Sequence, residues 1–210
     1  DGKLNWRNLK KAMNANNLNT KNLVLPEQVH GKDIEIIKDA FKKVIAKKDG
    51  LITKNKSIFL GVVSADCVPL VFYSSKNKEI GVIHAGYKGI LKGILDNVTD
   101  YFKLNNKSLK DIKVLIGPSI GVCCYEVSKE TINEFDRVFL GMENIYQKKG
   151  NKYFLDLKAV IKNILLKSGF SEENMEFSSL CTKDNSSILY SARKSKNKRY
   201  GEFVTIAGML

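Results

Sequence analysis

Residues 57–86 constrain the chain most. Here three apolar runs, "SIFLGVVSADC", "VPLVFYSS" and "KEIGVIHAG", follow one another almost without interruption. Each is rich in β-branched and aromatic residues and too short for an ordinary helix, so each is predicted to be a buried strand. The first ends on Cys67 and the third on His84, followed by Gly86, Lys88 and Gly89 in "HAGYKG". A strand that only had to pack would stop at a turn. A thiol, an imidazole, permissive backbone and a cation at strand ends point instead to a site.

From Lys88 the period changes. Ile90, Leu91, Ile94, Leu95, Val98, Tyr101 and Phe102 recur at one, three or four residues, which predicts one helix of about four turns lying on the sheet. A first helix is expected over "NWRNLKKAMNANN", and strands over "DIEIIKD", "DIKVLIG" and the closing "GEFVTIAGML". Further helices are expected from Ser128 to Phe139, and from an Asp156 N-cap to Ser168 with Gly169 as the residue that ends it. "NSSILYSARKS" fits neither period. Strands and helices alternate without a regular βαβ count, so the fold class is α/β with mixed sheets flanked by helices. With three prolines, no repeat and no linker, residues 1–210 read as one domain; lacking an initiator Met, the chain is expected to want some native N-terminal sequence.

Composition narrows the function classes. No apolar run approaches the roughly 20 residues that span a bilayer, and the N-terminus has no basic start followed by an apolar core, so neither a membrane partner nor a secretory signal is expected. Cys67, Cys123, Cys124 and Cys181 show no framework spacing and read as reduced thiols, which places the chain in the cytoplasm. The net charge of +13 invites a polyanion, yet only four of the 35 basic residues are arginine, and the lysines are scattered among asparagines rather than forming a stripe. Surfaces that read bases or fork phosphates favour the guanidinium. A solvated lysine-rich surface that draws small anions is the reading adopted, and nucleic acid is not expected as a partner.

The chain has two histidines, His30 in "QVHGK" and His84 in "VIHAG", each beside glycine at the end of an apolar segment. With Cys67 they supply two imidazoles and a thiol, a set that suits Zn²⁺ with its fourth position left open, as in catalytic zinc sites. Spacing alone leaves open that these are a hydrogen-bonded core histidine and a buried cysteine. In "IGPSIGVCCYEV", Cys124, Tyr125 and Glu126 follow a glycine-bracketed turn, with Tyr125 or Glu126 as proton donor or acceptor. Lys88 could hold an anion with helix N-terminal amides or be merely solvated; Arg193 in "YSARK" could fork a phosphate.

The ordered motifs "QVHG", "ADCVPLVFY", "GVIHAGYKG", "IGPSIGVCCYEV", "DLKAVI", "CT" and "LYSARK" resemble the YfiH-type family of laccase-domain proteins from about Gln28 to Arg193. The resemblance implies a mixed-sheet α/β sandwich and a zinc held by His30, Cys67 and His84, which would then be the catalytic centre. It implies phosphorolysis of adenosine, inosine and methylthioadenosine, together with deamination of adenosine, so the partners are purine nucleosides and phosphate. Gln28, Lys88, Cys124, Tyr125 and Arg193 become the candidate substrate contacts. The family's HAGWRG and SYR read "HAGYKG" and "SAR" here, so Lys88 keeps the cation without the guanidinium fork and Ala192 replaces a tyrosine. The older family label is copper polyphenol oxidase. His₂Cys is also a blue-copper set, but two histidines cannot build the second, imidazole-rich cluster of a multicopper oxidase. Two further functions are consistent with the same residues: a metal-free hydrolase with Cys67 as nucleophile and His84 as base, and a lysine-rich binding module with salt-dependent affinity.

Overall fold

The computed structural model describes residues 6–105, 107–196 and 200–209. Asn5 and Leu210, the outer residues of the expected first helix and last strand, lie outside the described residues. The chain begins with α1 (Trp6–Ala15) and passes through β1 (Leu23–Pro26), β2 (Ile34–Ile37), β3 (Val44–Ile45) and β4 (Gly50–Thr53). The three apolar runs of residues 57–86 become β5 (Phe59–Ser64), β6 (Val68–Ser74) and β7 (Glu79–Ala85). After them come α2 (Tyr87–Leu91), α3 (Ile94–Leu104), β8 (Ile112–Ile116), β9 (Glu126–Val127) and α4 (Lys129–Val138). A hairpin of β10 (Tyr146–Lys149) and β11 (Lys152–Leu155), α5 (Leu157–Ser168), β12 (Met175–Phe177) and β13 (Phe203–Gly208) complete the order.

A six-stranded mixed sheet, β12-β8-β6-β7-β4-β2, forms the middle layer. Strand β7 is antiparallel to both β6 and β4, and all seven of its residues are buried, which is why it reads as a continuous apolar run rather than an alternation. One face of this sheet packs against a four-stranded sheet, β13-β5-β1-β3: Leu51, Ile80 and Val82 meet Val24, Leu60 and Val62 in one core. The other face carries the helices, with Leu70, Phe72 and Ile83 against Ile94, Val98, Phe102, Ile161 and Leu165. Because side chains alternate along a strand, His84 shares the side of Ile80 and Val82, so it emerges between the two sheets at the end of β7.

The single helix expected from Lys88 is two. Gly93 sits at φ 91°, left-handed backbone that glycine adopts without penalty, and there it ends α2 and opens α3. The apolar stripe survives the break, since Ile90 lies on α2 and Ile94, Leu95, Val98 and Phe102 on α3, all buried. The caps stand as expected: the Asp156 carboxylate accepts from the Ala159 amide, the Ser128 hydroxyl accepts from the Thr131 amide, and Gly169 closes α5 at φ 106°. The ambiguous segment after residue 181 is a succession of turns. At the entry to β7, the buried Glu79 carboxylate accepts from Lys107 Nζ and Tyr101 Oη. The Lys107 ammonium lies 4.4 Å from the Tyr101 ring centre. No helix among the described residues is long and apolar enough to cross a membrane.

Candidate functional site

Three segment ends converge between the sheets. His84 arrives on β7, Cys67 in the turn between β5 and β6, and His30 in the loop that follows β1. Cys67 Sγ lies 3.7 Å from His30 Nε2, the two imidazole centres are 4.8 Å apart, and the three candidate ligand atoms all fall within 4.8 Å of one another. His30 is left-handed at φ 52°. Gly86 supplies the clearance: a Cβ there would stand 2.9 Å from both Cys67 Sγ and His30 Cδ2.

One fully buried carboxylate organises both imidazoles. Asp49 accepts the backbone N–H of Val29 (3.2 Å), His30 (3.0 Å) and Gly31 (2.7 Å), which fixes the loop that carries His30. It also accepts from His84 Nδ1 at 2.8 Å, which leaves Nε2 for Cys67 or a metal ion. A carboxylate behind a ligating imidazole is the usual outer support of a metal site. Donor set, clearance and support together fit a Zn²⁺-type ion with one open position. Nothing in the sequence singles out Asp49; "KDG" has the look of an ordinary turn.

The same contacts set the protonation states. Burial works against the charged form of His84, but the hydrogen bond to Asp49 and the neighbouring Cys67 raise its pKa to about 9. Burial raises Cys67, yet hydrogen bonds from His30 and His84 and their charge bring it down to about 7. Asp49 is likewise opposed by burial and held below its ordinary value by the His84 hydrogen bond and the Gly31 and Val29 amides. Between about pH 7 and about 9 the metal-free site therefore holds a thiolate and an imidazolium. A metal must displace the His84 proton, so zinc affinity should rise about tenfold per pH unit across that window and level off above it, as competition titrations would record. Asp49→Asn should weaken zinc binding by about 10- to 100-fold and return the His84 pKa towards its ordinary 6.5; the same titrations together with imidazole NMR would measure both.

A cavity of about 560 Å³ is lined by Tyr87, Cys124, Tyr125, Glu126, Lys183 and Arg193 among others, and none of the three candidate ligands lines it. Arg193 Nη1 donates to the Glu126 carbonyl at 2.5 Å, and its guanidinium lies 5.1 Å from the Tyr125 ring centre. Burial first, and then the charge of Cys67, push the Tyr125 hydroxyl well above its ordinary range, so it stays a proton donor. Asp66, left-handed at φ 103°, joins centre and cavity: its carboxylate accepts from Thr182 Oγ1 (2.6 Å) and the Arg193 amide (2.7 Å).

The structure thus brings His30, Cys67 and His84 together, and gathers Cys124, Tyr125 and Arg193 around one cavity. Gln28 is placed otherwise, its amide exchanging two 2.8 Å hydrogen bonds with the Val63 backbone. Lys88 is exposed, its ammonium 5.8 Å from the Tyr87 ring centre, and the lysine that lines the cavity is Lys183. The helix that Lys88 opens, α2, has only five residues. Motif and spacing alike miss two further residues. Burial raises the Glu202 carboxyl while the His84 and His30 charges oppose it, and burial together with the Glu202 charge raises Tyr200.

Known proteins share this arrangement of elements. The family described as multi-copper polyphenol oxidoreductase laccase matches residues 4–210. A Bacillus subtilis protein named purine nucleoside phosphorylase YlmD is 34% identical over 163 residues, covering 77% of this chain and 58% of its own length. A Borreliella burgdorferi protein named purine nucleoside phosphorylase is 31% identical over 201 residues, covering 91% of this chain and 85% of its own. The crystal structure of the Bacillus licheniformis hypothetical protein YfiH aligns with a TM-score of 0.90 at 31% identity, covering 97% of this chain and 80% of that one. On the extent of these matches, the chain belongs to the laccase-like YfiH family.

Proposed function

We propose that the protein is a zinc-dependent purine nucleoside phosphorylase. The observation that carries the reading is the His30–Cys67–His84 cluster, linked through Asp66, the neighbour of Cys67, to Arg193 in a cavity that offers two cations, Lys183 and Arg193, and two aromatic rings, Tyr87 and Tyr125. A zinc at the three ligands supplies Lewis-acid polarisation at its open position. The remaining work falls to the chain. Lys183 and Arg193 hold the phosphate dianion, and Arg193 is aimed by its own contacts to Glu126 and Asp66. Tyr87 and Tyr125 offer flat apolar faces to a purine. In phosphorolysis the C1′–N9 bond breaks, a phosphate oxygen bonds to C1′, and the departing base takes a proton. Tyr125, which lines the cavity and whose hydroxyl burial holds above its ordinary range, is the proposed donor of that proton. Positioning the phosphate beneath C1′ converts an encounter into a local reaction, the largest service such a cavity can give.

Two histidines leave no imidazoles for a multicopper cluster, so copper oxidation of phenols is the weaker reading despite the family description. Adenosine deamination, the second activity the resemblance implies, would use the same cavity. The test is the purified chain with inosine: hypoxanthine release should require added phosphate, stop on chelation and return with zinc. Release without phosphate would make the protein a hydrolase. Ammonia from adenosine with no base release would make it a deaminase.

A further inference from the structure

We propose that Cys123, Cys124, Cys181 and Asp184 form a second metal site, closed and structural, for a thiophilic divalent ion of the zinc type. Their ligand atoms lie within 4.8 Å of one another, as do those of the first centre, although the two sets share no residue. The Asp184 carboxylate already bridges the pair of neighbouring thiols, taking Cys124 Sγ at 3.0 Å on one oxygen and Cys123 Sγ at 3.1 Å on the other. Cys181, buried, completes the set from across the turn, and the Gly121 amide donates to its sulfur at 3.3 Å. The Lys183 and Asp184 amides also point at that sulfur, and the Lys158 ammonium is close enough to attract Cys181 and Cys123. Amides and a cation directed at a sulfur are the outer support that metal-bound thiolates use.

Three sulfurs and one oxygen favour zinc over magnesium or calcium, which prefer oxygen throughout. Four protein ligands leave no open position, the mark of a structural rather than a catalytic ion. Binding would send the thiol protons to solvent and clamp two segments that lie about 60 residues apart in sequence, the 117–125 loop and the turn at 181–184. The clamp stands between two cavities. Cys124 and Lys183 line the one that holds Arg193, while Cys123 and Cys181 line another of about 640 Å³.

The experiment is metal analysis of the full chain purified under reductant and dialysed against micromolar zinc, followed by cobalt titration. Wild type should hold two zinc ions. His30→Ala with Cys67→Ala should retain one, and its cobalt form should show strong thiolate-to-metal absorption. Cys123→Ser with Cys181→Ser should also retain one, and Asp184→Asn should weaken the second ion at least tenfold. If a double variant does not fold, the wild-type cobalt titration decides: two steps with three-thiolate absorption in one of them support the site, and a single step overturns it. One zinc in wild type, no metal in folded His30→Ala/Cys67→Ala protein, or a disulfide among the three cysteines would each overturn it as well.

Discussion

His84→Ala is expected to remove the catalytic metal and lower phosphate-dependent base release by about a thousandfold. A bound metal contributes several kcal/mol of charge stabilisation, and about 4 kcal/mol corresponds to that factor. Activity and site occupancy, read by metal analysis and initial rates, should fall together. The lost imidazole is buried, and its removal leaves Asp49 Oδ1 with only the His30 amide as a partner, so folding is also expected to suffer. His30→Ala provides the control: its ring is exposed, and Asp49 holds its backbone rather than its side chain. It should lose metal and rate to a similar degree with a near-normal melting temperature. Full activity in metal-free His30→Ala protein would sink the zinc reading, and loss of that activity on alkylating Cys67 would then leave the thiol–imidazole hydrolase standing.

Glu79→Ala is the largest expected loss of stability, about 3–5 kcal/mol, because it strands the Lys107 ammonium where water cannot reach it. For a chain of this length each kcal/mol moves the melting temperature by about 2–4 °C, so the drop should be about 6–20 °C in a thermal scan. Lys107→Met added to Glu79→Leu should recover most of it, since an apolar pair of similar volume is often as stable as a buried ion pair. If Glu79→Ala melts like wild type, the pair is not buried as described. Zinc affinity in the folded variant should change little, since His84 stands at the other end of β7.

The sequence was most legible where burial is complete. Strand β7 announces itself because all of its residues pack, and the stripe from Ile90 to Phe102 survives even though Gly93 breaks its helix in two. Other strands had no pattern to read. Tyr146–Lys149 is exposed throughout, and Gly50–Thr53, though as fully buried as β7, is only four residues long; both are held by their neighbours in the sheet. At the site, the candidate ligands could be named because His and Cys are rare in this chain. Their supports could not be, because Asp49, Asp66 and Asp184 look like any turn aspartate until the fold shows which amides, hydroxyls and thiols they face. Lys88 and Lys183 show the converse: in so lysine-rich a chain, neither residue type nor spacing says which ammonium lines the cavity.

The two hydrogen bonds that Asp66 accepts reach partners 116 and 127 residues further along the chain. On a ribosome, which makes the chain from its N-terminus, the candidate metal ligands exist long before Thr182 and Arg193, which bond to Asp66. Cys67 and His84 are already made while Thr182 and Arg193 are still to be added, and β13, which pairs with β5 along its whole length, comes last. A half-made chain can therefore contain the candidate metal ligands without the complete lining of the cavity. Premature termination near residue 180 would give a product that has His30, Cys67 and His84 yet lacks β13, the residues that bond to Asp66 and the groups assigned here to phosphate.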